Sequence, residues 1–302
     1  MLIPPYLKPG DTIGITCPAS KMSRSVAEFA GGVLKSWGFR VVIGKTAGTN
    51  FHNFSAPDKI RLQELQQMLD DDTIRAVLFG RGGYGVLRIL DQLDFSHLVE
   101  YPKWLCGYSD ITALHVHVNK CLDMATLHTV MCSGITADTY HDEYVNSLRM
   151  ALTGQKINCL VMGHPYNRPG KGEGELTGGN LSLLSNLSGS ISQPDTRGKI
   201  LFIEDTGEYR YNIDRMMLGL KRAGWLDHLQ GLLVGSFNES KETIEPFGQT
   251  EYEIIWDKVK EYDYPVAFGF PVGHQKENYA LKSGVTYMLD VNSQVTLEEK
   301  SA

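Results

Sequence analysis

Apolar residues recur along the first half of the chain in two alternating rhythms. Short apolar runs stand at Thr12–Cys17, Phe39–Ile43, Ala76–Phe79 and Lys103–Gly107. Between and after them, Ser25–Trp37, Ile60–Leu69, Val86–Leu93 and Ile111–Asn119 carry apolar side chains at helical spacing. A brief run with no alternation suits a strand covered on both faces, whereas i, i+3, i+4 spacing suits a helix with one buried stripe. The punctuation agrees: Pro18 and small polar residues follow the first run, and Gly38 closes the first helix. Strands alternating with helices predict an α/β domain built on a mostly parallel, doubly wound sheet. Active sites on such sheets lie beyond the carboxyl ends of the strands, so the loops after Cys17, Phe79 and Gly107 are where chemistry is sought.

Residues 163–175 (GHPYNRPGKGEGE) are rich in Gly, Pro and charge and read as a linker or exposed loop. The expected plan is a first domain over 1–163, a linker over 164–175 and a second domain over 176–302. In the second half, strands are predicted at Lys199–Ile203 and Gly231–Val234, and helices at Ile213–Arg222, stopped by Gly224, and Glu251–Glu261. Two short strands flank Asn292–Ser293 between Gly284 and Leu297. The pattern there is mixed and less regular. No internal repeat or low-complexity tract is visible.

Composition narrows the class. With 42% hydrophobic residues the chain can build cores, and a formal net charge of −6 offers no basic face for nucleic acid. No stretch approaches the ~20 apolar residues that span a bilayer, and the N-terminus lacks a basic-then-apolar signal pattern. Cysteines 17, 106, 121, 132 and 159 form an odd, scattered set without a CxxC pair. They read as thiols in a reducing cytosol, and the expected compartment is cytoplasmic.

The sharpest chemical segment is Gly107-Tyr-Ser109-Asp110-Ile-Thr. A serine directly after a strand and before a helix sits on a tight turn, with the helix's first N–H groups and dipole beside it to stabilise an oxyanion. A plain helix N-cap explains the same residues, and Ile111 breaks the G-x-S-x-G elbow. A second glycine-rich turn, Gly80-Arg-Gly82-Gly83-Tyr-Gly85, matches the G-x-G-x-x-G dinucleotide fingerprint. It follows the third strand where the fingerprint belongs to the first, and Glu100 precedes a strand where the ribose-binding acid should end one. Close backbone approach, with Gly82 or Gly83 supplying an N–H across from Ser109, is the better use.

In the second half, Lys199–Ile203 runs straight into Glu204 and Asp205. An acid at a strand end can orient a histidine; an N-cap or exposed turn is the alternative, and Glu208 and Asp214 compete for the role. His274 follows a Gly/Pro-rich turn, Phe268-Gly-Phe-Pro-Val-Gly273, and can reach a neighbouring cleft. His115 and His117 stand at i and i+2, which do not face each other on a helix. With no HExxH or Cys/His ligand spacing, no metal is expected. The run Asp70–Asp72 reads as a solvated helix end.

Together these segments resemble the LD-carboxypeptidase family (muramoyltetrapeptide carboxypeptidases) over nearly the whole chain. The resemblance rests on Leu7-Lys-Pro-Gly-Asp-Thr-Ile-Gly, Arg81-Gly-Gly-Tyr-Gly, Gly107-Tyr-Ser-Asp-Ile-Thr and Gly174-Glu-Leu-Thr-Gly-Gly-Asn-Leu-Ser. Ile203-Glu-Asp-Thr-Gly-Glu with Arg215, and Gly273-His, complete it in that order. It implies a Rossmann-like N-terminal domain and a smaller β-rich C-terminal domain, with a triad at their interface. Ser109 maps to the nucleophile, Glu204 to the orienting acid and His274 to the base, while the N–H of Asp110 and one of Gly82 or Gly83 would hold the oxyanion. The implied substrate is a muropeptide ending in diaminopimelate–D-Ala or Lys–D-Ala, cleaved without metal or organic cofactor and without a nucleic-acid or membrane partner. Members are often homodimers. Arg81-Gly-Gly-Tyr-Gly is similar to the murein-recycling branch, whereas the microcin-immunity branch, which hydrolyses peptidyl-nucleotide or acyl-sulfamoyl amides, carries a G-G-x-N-type turn. A two-domain small-molecule binding protein is the remaining alternative, and such proteins usually carry an export signal.

Overall fold

A computed structural model describes residues 1–300, and its internal contacts divide the chain into two units. The first is Met1–Gln155 with Tyr279–Lys282, and the second is Lys156–Asn278 with the tail from Ser283. The expected boundary at 163 falls too late. The strand β6 (Cys159–Met162) already pairs with a strand of the second unit's sheet.

The first unit contains β1 (Thr12–Thr16), β2 (Arg40–Ile43), β3 (Ile74–Phe79), β4 (Trp104–Gly107) and β5 (Thr126–His128). Its helices are α1 (Arg24–Ser36), α2 (Asp58–Asp70), α3 (Ser96–Glu100), α4 (Thr112–Leu122) and α5 (Glu143–Leu152). The five strands pair in parallel in the order β2-β1-β3-β4-β5, with Leu281–Ser283 beside β5. This is a doubly wound parallel order, 2-1-3-4-5, as in flavodoxin-like sheets. The chain runs outward from β1 to β2 and returns to β3, so the switch point lies between β1 and β3. The glycine-rich turn after β3 opens there.

One predicted helix resolves differently. Val86–Leu93 forms two 3₁₀ turns, Val86–Arg88 and Leu90–Gln92. Val86, Ile89 and Leu90 are all buried, and the three-residue spacing of Val86 and Ile89 serves a 3₁₀ turn as well as an α-helix. Gly85 at φ +143° and Ile89 at φ −118° break the regular helix on either side. The acidic run after α2 is tied down by Lys103, whose buried Nζ donates to Met68 O at 3.2 Å and Asp71 O at 2.9 Å. A cation at a helix C-terminus satisfies its last carbonyls and its dipole.

Arg61 is wholly buried on α2. Its guanidinium donates to Ala56 O at 3.1 Å, to Gly85 O at 3.0 Å and to Pro18 O, and pairs with Asp58. One side chain thus pins the loops that leave β1 and β3. Arg61→Ala would strand these carbonyls, and a loss of ~3–5 kcal/mol is expected from the urea unfolding midpoint. A loss under ~1 kcal/mol, the size of a surface pair, would show that the loops hold without it.

The second unit is built on β7 (Gly170–Asn180), β8 (Ile200–Thr206), β9 (Gly231–Asn238) and β10 (Val266–Phe268). After β11, the edge strand Leu281–Ser283, come β12 (Thr286–Val291) and β13 (Gln294–Glu299). With β6 the sheet order is β10-β9-β8-β7-β12-β13-β6. Helices α6 (Leu181–Leu187), α7 (Arg210–Arg222) and α8 (Glu251–Val259) belong to the same unit. It is therefore a mixed α/β unit, in which β7 pairs in parallel with β8 through its second half and antiparallel with β12 through its first. That first half, Gly170–Glu175, was expected as linker. A side chain at Gly172 would strike Gln230 O, and one at Gly174 would come within 2.7 Å of Gly198 O. The glycines there serve close backbone packing inside a strand, which composition alone cannot distinguish from a flexible loop.

Candidate active site

In the first unit, β4 ends at Gly107, Tyr108 is extended, and Ser109 turns into the left-handed region at φ +63° before a 3₁₀ turn leads into α4. That conformation costs a non-glycine residue about 1–2 kcal/mol, and such strain persists where the surroundings enforce it. His115, one turn along α4, donates from Nε2 to Gly107 O at 2.8 Å and locks the helix to the strand end. Sequence reasoning weighed His115 only as a metal ligand and missed this part. Its partner in the pair, His117, lies 3.9 Å from Cys121 Sγ through Nδ1.

The glycine-rich turn packs against the serine. A Cβ on Gly82 would stand 2.8 Å from Ser109 Cβ and 3.0 Å from its Oγ, so only glycine permits this approach. Gly82 O accepts from Ser20 N at 3.1 Å, and Gly80 is held by Thr16 O at 2.8 Å and by Ser133 N at 3.0 Å. The N–H groups of Gly82 and Gly83 donate to no described residue. Asp110 acts through its side chain as well: Oδ2 accepts from Val86 N at 2.8 Å, joining the turn after β4 to the turn after β3. Burial pushes this carboxyl up to about 6, against the pull of Val86 N–H and the Arg61 charge.

In the second unit, β8 continues through Glu204 and Asp205 to Thr206 instead of ending at Ile203. Glu204 sits at an irregularity: Ile203 pairs with Val234 but Asp205 with Phe237, so β9 carries one extra residue opposite Glu204. A bulge of this kind re-aims a side chain. Gly235, within the bulge, gives its carbonyl to Tyr252 Oη at 3.1 Å. The loop that follows β10 docks on β9 through Phe270 N to Val234 O and Ser236 N to Val272 O, both 3.0 Å. Gly273, at φ +107°, then lies over Glu204; a Cβ there would come within 2.6 Å of Glu204 Cβ.

This packing sets His274 Nδ1 2.6 Å from Glu204 Oε2, with the histidine side chain 19% exposed and the glutamate fully buried. The competing acids are engaged elsewhere, Glu208 accepting from Asn212 Nδ2 at 3.1 Å and Asp214 pairing with Lys258 at 2.7 Å. Asp205 faces the start of α6, accepting from Asn180 Nδ2 and Ser182 N, both at 2.9 Å. Burial, and then the Glu204 charge, push it up to about 7. Among the described residues, no three His, Cys, Asp or Glu side chains are grouped to hold a metal ion.

Models of known families match both halves. The LD-carboxypeptidase N-terminal domain matches residues 13–129, and the LD-carboxypeptidase C-terminal domain matches residues 173–289. The chain belongs to the LD-carboxypeptidase family. It is a serine-type carboxypeptidase, similar to a Bacillus subtilis (strain 168) protein named a probable murein peptide carboxypeptidase. The two are 35% identical over 93% of this chain and 89% of that one. The crystal structure of muramoyltetrapeptide carboxypeptidase from Oxalobacter formigenes superposes with a TM-score of 0.85 at 28% identity, covering 96% of this chain and 99% of that one. The microcin C7 self-immunity protein of Escherichia coli is 28% identical over 96% of this chain and 94% of its own. Membership in this family makes the dinucleotide reading of Gly80–Gly85 and the non-catalytic binding protein unnecessary.

For an LD-carboxypeptidase using His274 as base, the pH profile follows from its surroundings. Burial, the largest single influence, favours the neutral ring, but Glu204's charge and hydrogen bond, with Asp205 and Glu239 beyond, outweigh it and raise the pKa. A general base must be neutral, so kcat/KM should fall as pH drops through a value above the ordinary histidine 6.5. A pH–rate profile whose acid limb lies below pH 6 would show that His274 is not the titrating base.

Proposed function

We propose that this carboxypeptidase releases the terminal D-alanine of murein tetrapeptides, with Ser109 as nucleophile, His274 as general base and Glu204 as its orienting acid. The observation that carries the reading is the His274–Glu204 pair: a buried carboxylate on Nδ1 fixes the tautomer whose Nε2 can accept a proton. The strained Ser109 turn supplies the matching nucleophile. Ser109 Oγ bonds to the scissile carbonyl carbon as its proton passes to His274 Nε2. The N–H groups of Asp110 and of Gly82 or Gly83 hold the tetrahedral oxyanion. The C–N bond then breaks, His274 gives its proton to the D-alanine amine, and water, deprotonated by His274, frees the acyl group from Ser109. No metal or organic cofactor is called on.

Murein tetrapeptide is favoured as substrate by the 35% identical relative and by Arg81-Gly-Gly-Tyr-Gly in place of the microcin-type turn. We place the reaction in the cytoplasm, in keeping with four buried cysteines that carry no disulfide. Among the described residues no helix is long and apolar enough to cross a membrane. Measuring kcat/KM side by side on a diaminopimelate–D-Ala or Lys–D-Ala tetrapeptide and on aspartyl sulfamoyl adenosine, the compound bound by a microcin immunity relative, tests the choice. Higher kcat/KM on the tetrapeptide is expected. Preference for the sulfamoyl adenosine would move the chain to the microcin-type activity.

A further inference from the structure

We propose that Arg81 binds the free carboxylate at the substrate's C-terminus and thereby restricts the enzyme to release of a single terminal residue. The inference rests on Ser109 being the nucleophile. A cleft of about 470 Å³ opens in the first unit beside the glycine-rich turn. Its walls include Lys21, Asn50, Arg81 and Ser133, and no carboxylate lines it. In a chain with 35 acidic and 29 basic residues, a cleft with two cations and no acid is built for an anion.

Arg81 has the position the chemistry requires. It directly precedes Gly82, the residue packed against Ser109. In a carboxypeptidase substrate the terminal carboxylate lies one residue beyond the scissile carbonyl, a span of about 3.3–3.6 Å. An arginine anchored next to the backbone that touches the nucleophile has the reach to meet a carboxylate at that distance. The Arg81 main chain is fixed on both sides, through Gly80 to Thr16 and Ser133 and through Gly82 to Ser20. Its side chain is exposed and makes no hydrogen bond or ion pair with any described residue. Other arginines are already engaged, Arg61 and Arg88 by Asp58 and Arg210 by Glu242 and Glu251. A planar guanidinium meets a carboxylate through two parallel hydrogen bonds, which an amidated or extended C-terminus cannot accept. Lys21, 3.3 Å from Asn50 Oδ1, adds to the positive field.

The test compares an LD-linked tetrapeptide with its C-terminal amide, in the wild type, Arg81→Gln and Arg81→Lys. The wild type should prefer the free acid by about a hundredfold in kcat/KM, the scale of losing a charge-assisted bidentate contact. In Arg81→Gln the acid-to-amide ratio should collapse toward one, mostly through KM for the acid, and Arg81→Lys should restore part of it. Labelling of Ser109 by a fluorophosphonate, which carries no such carboxylate, should proceed at a similar rate in all three. A wild-type ratio preserved in Arg81→Gln, or labelling lost along with turnover, overturns the assignment of Arg81 alone. A wild type that cleaves neither peptide overturns the substrate reading and this assignment with it.

Discussion

Replacing Ser109 with alanine is expected to lower kcat by about 10⁴–10⁶ in a protein that remains folded. The loss is large because the Oγ that forms the acyl bond is removed, leaving only positioning and the oxyanion donors. Folding should survive because Ser109 is only half-buried and alanine bears the same left-handed strain as serine. The strain gives a second, independent readout. Ser109→Gly should be as inactive as Ser109→Ala yet more stable by about 1 kcal/mol, since glycine adopts φ +63° without penalty. Substantial turnover by a folded Ser109→Ala protein would remove the serine from the mechanism.

Glu204→Gln should cost on the order of 10³–10⁴ in kcat. Glutamine has nearly the same volume, so the close packing of Gly273 against this side chain is kept. Its amide, however, can donate to His274 Nδ1, and the ring proton then sits on Nε2, the atom that must accept from the nucleophile. Removing the negative charge also withdraws the chief influence that raises the His274 pKa, so the acid limb of the pH profile should move down. Glu208→Gln should cost less than about tenfold, because Glu208 serves Asn212, and rigid placement on a strand is what an orienting acid needs. A larger kcat loss from Glu208→Gln, with KM unchanged, would transfer the orienting role to that residue.

The strand–helix alternation of the first unit was legible because its strands other than the edge strand β2 are covered on both faces and α1 carries one apolar stripe. Thr12–Thr16 and Arg24–Ser36 fall within a residue or so of the predicted spans. Strand order was not legible, since which strands become neighbours depends on pairings the local pattern does not encode. The second unit was harder for a specific reason: β7 changes partner orientation at mid-length, and its glycines mimic a linker while admitting neighbouring backbone.

In the candidate site, the sequence put Ser109 and Gly82 on the turns after β4 and β3 and His274 on the loop after β10, while Glu204 lies inside β8 and not just past its end. It could not show what positions them. The left-handed φ of Ser109, the bulge opposite Glu204 and the close approach of Gly273 each depend on neighbours distant in sequence. The buried Arg61 and the Asp110 side chain were missed because a charged residue on a helix or after a serine looks like surface until its partners are known. A hint existed in Arg61 lying on the apolar side of α2, in phase with Leu65 and Met68.

Free D-alanine should be measured from two tetrapeptides that differ only in the configuration of the residue before the terminal D-Ala, with the Ser109→Ala protein as background. The serine LD-carboxypeptidase described above should release D-alanine from the LD-linked peptide and none above background from the DD-linked one. Equal or faster release from the DD-linked peptide, or release from the LD-linked peptide that Ser109→Ala matches, would contradict it.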